Sequence, residues 1–236
     1  MGGENINPAI EQAINEFLQA DLPERGDAAI CVILCGSQAT GRATDHSDVD
    51  LCYIGDFPDF SRENRVFKGR EFHLMIAPWS WYHHVITEYE RQDNRGTITV
   101  MVATGRCLRG DDERWRELCI VAEHYYRLGP APPTEVQVHK MRTRITDLWY
   151  DFVDTQEDED QRWLAMHLVQ HCVDTQFAVL QWWATKPKYQ LSYLRERDAD
   201  LAQLVQGCLS ANLRDAARLA ALCRYVLNPI GGWITE

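Results

Sequence analysis

Three groups of residues in this chain could do chemistry together. Gly36 and Ser37 follow the apolar run Ala28 to Cys35, Asp48 and Asp50 come after ten intervening residues with only Val49 between them, and Glu71 and His73 alternate along a further apolar run. A strand that ends in Gly-Ser and turns into a helix presents backbone N–H groups at its tip, a setting that favours phosphate. Gly36 lets a ligand approach the backbone closely, and Ser37 adds a hydroxyl donor. Aspartates two apart on a strand project from the same face. Mg²⁺ takes carboxylate oxygens and shares them with substrate phosphates, so such a pair can hold two ions about 3.5–4 Å apart. One ion would lower the pKa of an acceptor hydroxyl and the other would stabilise departing pyrophosphate. The chemistry this points to is transfer of a nucleotidyl group. Gly-Ser alone is usually only a turn, and Asp-x-Asp alone is usually a solvated strand edge. Together at this spacing, behind a buried strand, they make coincidence a poor account.

The elements around these residues must hold them at one edge. Helical spacing of Ile10, Ala13, Ile14, Phe17 and Leu18 predicts a helix from Pro8 to about Ala20, with Asn7 as its N-cap and Leu22 to Gly26 ending it. Residues 28–35 read as a buried first strand, and residues 36–47 as a turn with room for a short helix. Residues 48–54 read as a second strand, with Asp48, Asp50 and Cys52 on one face and Val49, Leu51 and Tyr53 on the other. Phe57 to Gly69 reads as a connector, and residues 71–77 as a third strand. Helices follow at Ser80–Glu90 and Asp111–Tyr126. Thr97–Thr104 is ambiguous between helix and strand, and Arg106–Leu108 fits a short strand. Gly129-Pro130-Ala131-Pro132-Pro133 is the clearest punctuation in the chain and predicts a domain boundary. Residues 1–128 then form an α/β domain with a mixed sheet. Residues 134–236 form an all-α bundle with helices near 134–153, 160–184, 190–206 and 212–226.

The run from Gly36 to Leu51 resembles the signature of the nucleotidyltransferase superfamily typified by DNA polymerase β. It is most similar to the branch of antibiotic and minimal nucleotidyltransferases. A weaker likeness extends over residues 1–110. The resemblance implies that Asp48 and Asp50 are metal ligands and that Gly36 and Ser37 hold the β- and γ-phosphates. It also implies that a lysine of the helical domain reaches the triphosphate, for which Lys188 is better suited than Lys186. The family usually places a third carboxylate on the next strand. Here that position falls on His73, with Glu71 two residues earlier on the same face. Both are candidate catalytic residues, and a histidine at position 73 could act as a general base, since the unperturbed imidazole titrates near neutrality. A half-buried strand side chain can equally just pack.

At 236 residues, with 45% hydrophobic and 25% charged residues, the chain has the composition of a globular protein with a sizeable core. No apolar run is long enough to cross a bilayer, and no secretory signal is read at the N-terminus. None of the eight cysteines forms a C-x-x-C pair, which fits reduced thiols in the cytoplasm. The net charge of −11 argues against a broad nucleic-acid surface and suits a cationic acceptor. The expected activity is Mg²⁺-dependent transfer of AMP from ATP to a hydroxyl of a small acceptor such as an aminoglycoside antibiotic. A protein-adenylylating enzyme of the antitoxin kind and a non-catalytic nucleotide-binding module are the alternatives. The many aromatic residues are compatible with a homodimer.

Overall fold

Asn7 opens the first helix of the computed structural model, which describes residues 7–44, 47–110, 113–210 and 213–234. Its side-chain oxygen accepts from the Ala9 N–H, and Pro8 follows in the first turn, so α1 runs over Pro8–Arg25. The helix continues five residues past the expected end, with Pro23 inside it. Its last turn is tied down by side chains. The Arg25 guanidinium donates to the buried Asp21 one turn back and, at 2.8 Å through each Nη, to both oxygens of Glu63.

Glu63 lies on a strand that sequence patterning does not reveal. The predicted connector contains β3, Ser61–Phe67, whose mostly polar residues form an exposed edge. Lys68 and Gly69, both at positive φ, turn it into β4, Arg70–Pro78, with Phe67 opposite Arg70. With β1, Ala29–Cys35, β2, Val49–Gly55, and β5, Arg106–Arg109, they form a five-stranded mixed sheet in the order β3-β4-β2-β1-β5. β2 and β4 are parallel; the other neighbours are antiparallel.

Alternation along β2 divides the core as the sequence predicts. Val49, Leu51 and Tyr53 join Val32, Leu34, Phe72 and Leu74 under α1. Cys52 and Ile54 join Ile33, Cys35 and Ala77 on the opposite face. That face is covered by α3, Trp79–His84, α5, Thr97–Thr104, and α6, Glu113–Leu128. The predicted Ser80–Glu90 helix is α3 followed by a π-helical turn, Val85–Tyr89, and α4, Glu90–Asp93. Thr97–Thr104 is helical because the buried Glu90 carboxylate accepts from the Ile98 and Thr99 N–H groups, at 2.6 and 2.7 Å, and so satisfies its first turn. The predicted starts of two helices, at Asp111 and Asn212, lie outside the described residues.

The Arg25–Glu63 tie makes acid stability a measurable property. Hydrogen bonds from Arg25 and then Arg65 pull the Glu63 carboxyl down to about 2. A carboxylate with a lowered folded-state pKa stabilises the fold above its ordinary value near 4.5 and loses that contribution as pH falls toward 2. Glu63→Gln is expected to cost about 1–2 kcal/mol at pH 7. The gap to the parent should close between pH 4.5 and 2 in urea unfolding; a gap constant across that range would contradict the assignment.

The chain divides into two compact units, residues 1–129 and 130–236. The second is helical. Thr134 and Gln137 form a capping box that opens α7, Glu135–Asp154. α8, Asp158–Val179, ends short of the predicted residue 184. The predicted helix over 190–206 is two helices, α9, Pro187–Arg197, and α10, Ala199–Ser210. Asp198 separates them because its carboxylate accepts from the Leu201 N–H and from the Tyr225 hydroxyl. α11, Ala216–Leu227, completes a core that includes Ile145, Leu168, Phe177, Leu194 and Leu222.

Candidate metal and nucleotide site

At one edge of the sheet, β1 ends while β2 and β4 begin. Cys35, the last residue of β1, pairs with Asp50, and Asp50 pairs with His73. The parallel register therefore sets the imidazole beside the aspartates. His73 Nδ1 lies 2.8 Å from Asp48 Oδ2 and 3.7 Å from Asp50 Oδ1. One ligand atom from each of Asp48, Asp50 and His73 falls within 4.8 Å of the others, and all three are half-buried. This donor set fits a divalent cation: two carboxylates supply charge, and the imidazole supplies a neutral nitrogen once deprotonated.

Glu71, the other third-strand candidate, lies at the rim. Its side chain is 71% exposed, and its Oε2 is 3.9 Å from His73 Nε2, on the side of the ring away from the aspartates. It is outside the three-residue cluster.

Gly36 also stands directly against one of the aspartates. It begins α2, Gly36–Ala39, at φ +67°, and a Cβ placed there would overlap Asp50 Oδ2. The glycine thus makes room for the Asp50 carboxylate. A helix of four residues also has little macrodipole. Any anion held here depends on individual N–H groups of the turn and on the Ser37 side chain. Thr40, to which sequence reasoning gives no role, pins this turn: its hydroxyl donates to the Gly36 carbonyl at 3.0 Å. Its signal is a hydroxyl residue beside Gly41, a second glycine at positive φ. Ser47 steadies the approach to Asp48, since its Oγ accepts from the Thr44 N–H and its N–H donates to the Thr44 carbonyl.

Beneath the site Cys35 and Cys52 are fully buried, with sulfurs 3.4 Å apart. The hydrogen bond to Cys52, together with burial, pushes the Cys35 thiol well up, which keeps it protonated and unreactive. All eight cysteines are free. Lys188 belongs to the second unit, in the first turn of α9, exposed, with Nζ 4.8 Å from the Tyr189 ring centre. Among the described residues no helix is long and apolar enough to cross a membrane.

No curated protein matches the chain. Among solved structures it is similar to a nucleotidyltransferase-like protein from Exiguobacterium sibiricum 255-15. The TM-score is 0.51 at 13% identity, over 93% of this chain and 75% of the other. At that identity the likeness is one of fold. The family model described as a nucleotidyltransferase domain matches residues 12–100. That span contains the Gly36 turn, both aspartates and His73, and its sheet brings them together at one edge. Residues 12–100 of this chain match a nucleotidyltransferase domain, and the fold around them is nucleotidyltransferase-like.

Proposed function

We propose that the chain transfers a nucleoside monophosphate, AMP from ATP, to a hydroxyl of a small cationic acceptor of the aminoglycoside kind. The observation that carries this reading is the convergence of Asp48, Asp50 and His73 beside the Gly36 turn, inside a nucleotidyltransferase domain. Asp48 and Asp50 hold divalent metal, with Mg²⁺ arriving on the nucleotide. Bound metal neutralises the triphosphate and lowers the pKa of the acceptor hydroxyl. Gly36 and Ser37 position the β- and γ-phosphates through the turn. His73 and Glu71 complete the site in place of the usual third carboxylate. The acceptor hydroxyl releases its proton to solvent as its oxygen forms a bond to the α-phosphorus, the bond from that phosphorus to the oxygen bridging to the β-phosphate breaks in line, and pyrophosphate leaves.

For the acceptor, the support is electrostatic. The net charge is −11, and Asp154 to Asp160 carries five acidic residues, which attract a polycation. We assign acceptor binding to residues 134–236. Incubation with α-labelled ATP, Mg²⁺ or Mn²⁺ and a panel of aminoglycosides, lincosamides and cell proteins tests the reading. Label on an aminoglycoside is expected, and addition of about 0.5 M salt should raise its KM as screening weakens the attraction. Label on protein alone would replace the small acceptor with a protein one. No label on any acceptor would leave a nucleotide-binding module.

A further inference from the structure

We propose that the ion held by Asp48, Asp50 and His73 is a divalent transition ion of the Co²⁺/Zn²⁺ class rather than Mg²⁺. His73 Nδ1 is its third protein ligand, and Glu71 is the positioning residue behind the imidazole. This rests on reading the cluster as the metal position of the transfer site, and it adds which ion that position selects.

The geometry argues first for ligation. An ion about 2.0–2.2 Å from each donor holds neighbouring donors about 3–3.5 Å apart at tetrahedral or octahedral angles. The Nδ1 separations of 2.8 and 3.7 Å from the two carboxylates bracket that spacing, so small side-chain rotations seat an ion. The backbone enforces the approach, because the parallel register puts His73 directly opposite Asp50. Once Nδ1 gives up its proton to ligate an ion, the proton of the neutral ring sits on Nε2. Glu71 Oε2 lies 3.9 Å from that nitrogen on an exposed, extendable side chain, and a short movement closes a hydrogen bond. A carboxylate behind a ligating histidine fixes its tautomer and raises its basicity.

Ligand chemistry then argues for the ion. Mg²⁺ is hard, sheds water reluctantly and is held mainly by carboxylate charge. A neutral imidazole in place of a carboxylate removes one of three negative charges and offers a nitrogen that Mg²⁺ uses poorly. Co²⁺ and Zn²⁺ bind imidazole well.

The test is equilibrium binding of Co²⁺ alone and Mg²⁺ alone, without nucleotide, followed by Co²⁺ absorption and by competition. Transition ions outbind Mg²⁺ at most sites, so the informative quantity is how the preference responds to residue 73. The parent should prefer Co²⁺ by at least about 100-fold. His73→Asp should shrink that preference by about tenfold or more and shift the Co²⁺ absorption. His73→Gln should weaken Co²⁺ binding by a similar factor. Glu71→Gln should weaken Co²⁺ about tenfold while leaving its absorption band shape in place. Thermal unfolding confirms that each variant folds. Should one not fold, Co²⁺-induced paramagnetic shifts of the His73 ring protons in the parent report ligation directly. An unchanged preference in His73→Asp, or ring protons that ignore Co²⁺, overturns the proposal. The two readings fail separately. Co²⁺ bound through His73 without label transfer sinks the transferase reading alone. Label transfer in a protein whose metal affinities ignore residue 73 sinks this one alone.

Discussion

Asp48→Asn together with Asp50→Asn is expected to lower nucleotidyl transfer by at least about 10³-fold, a barrier increase of about 4 kcal/mol or more. The exchange keeps side-chain shape and removes two negative charges from an edge built to gather them. An amide oxygen is a weak ligand, so both the metal and the triphosphate it neutralises lose their anchor. The fold should survive. The sheet beneath is held by Val49, Leu51, Cys52 and Tyr53, all fully buried, and none of them depends on the carboxylates. Removing mutual repulsion between two half-buried aspartates should leave the thermal midpoint unchanged or slightly raised without metal. Initial rates of label transfer, taken with unfolding curves, check both halves. Transfer within about tenfold of the parent would mean that the chemistry lies elsewhere.

How much of this is legible from sequence depends on whether the deciding contact is local. The alternation of Val49, Asp50, Leu51 and Cys52 follows from strand geometry, so spacing alone puts both aspartates on one face. The choice between Glu71 and His73 is not local. Both lie on the same face of β4, and only the register of β4 against β2 puts His73 opposite Asp50 and leaves Glu71 at the rim. β3 escapes sequence patterning because its residues are polar and it forms an edge, where strand patterning is weak. What marks it is tertiary: the Arg25–Glu63 pair and the tight turn at Lys68-Gly69. Asp198 is hidden for a related reason. An aspartate inside a helical pattern looks like a solvated residue until Tyr225, far along the chain, is seen to hold it. The family model stops at residue 100, within α5 of the first unit. The helical half reads as helices from periodicity, but periodicity carries no information about what those helices bind.

Gly36→Ala is expected to be the most damaging change that removes no functional group. It should cost about 1–3 kcal/mol of stability and about 10²-fold in transfer. Two effects act at once. At φ +67° an alanine adopts left-handed backbone at a cost of about 1–2 kcal/mol. Its Cβ would also overlap Asp50 Oδ2, so either the turn or the carboxylate must move. Moving the turn breaks the Thr40 hydroxyl bond to the Gly36 carbonyl and shifts Ser37. Moving Asp50 pulls it away from Asp48 and His73 and opens the three-donor cluster. A misplacement on the order of 1 Å in such a constellation costs about 100-fold. A double-mutant cycle separates the causes. On an Asp50→Ala background the overlap is gone, and Gly36→Ala should cost only the backbone strain. Asp50→Asn is the wrong background, because the amide fills the same space as the carboxylate. If Gly36→Ala costs the same stability in the parent and in the Asp50→Ala variant, crowding against Asp50 plays no part and the glycine serves the turn alone. If it costs clearly less in the Asp50→Ala variant, the turn and the second aspartate are one packed unit. The Gly36 turn and the carboxylate cluster could then not be altered independently.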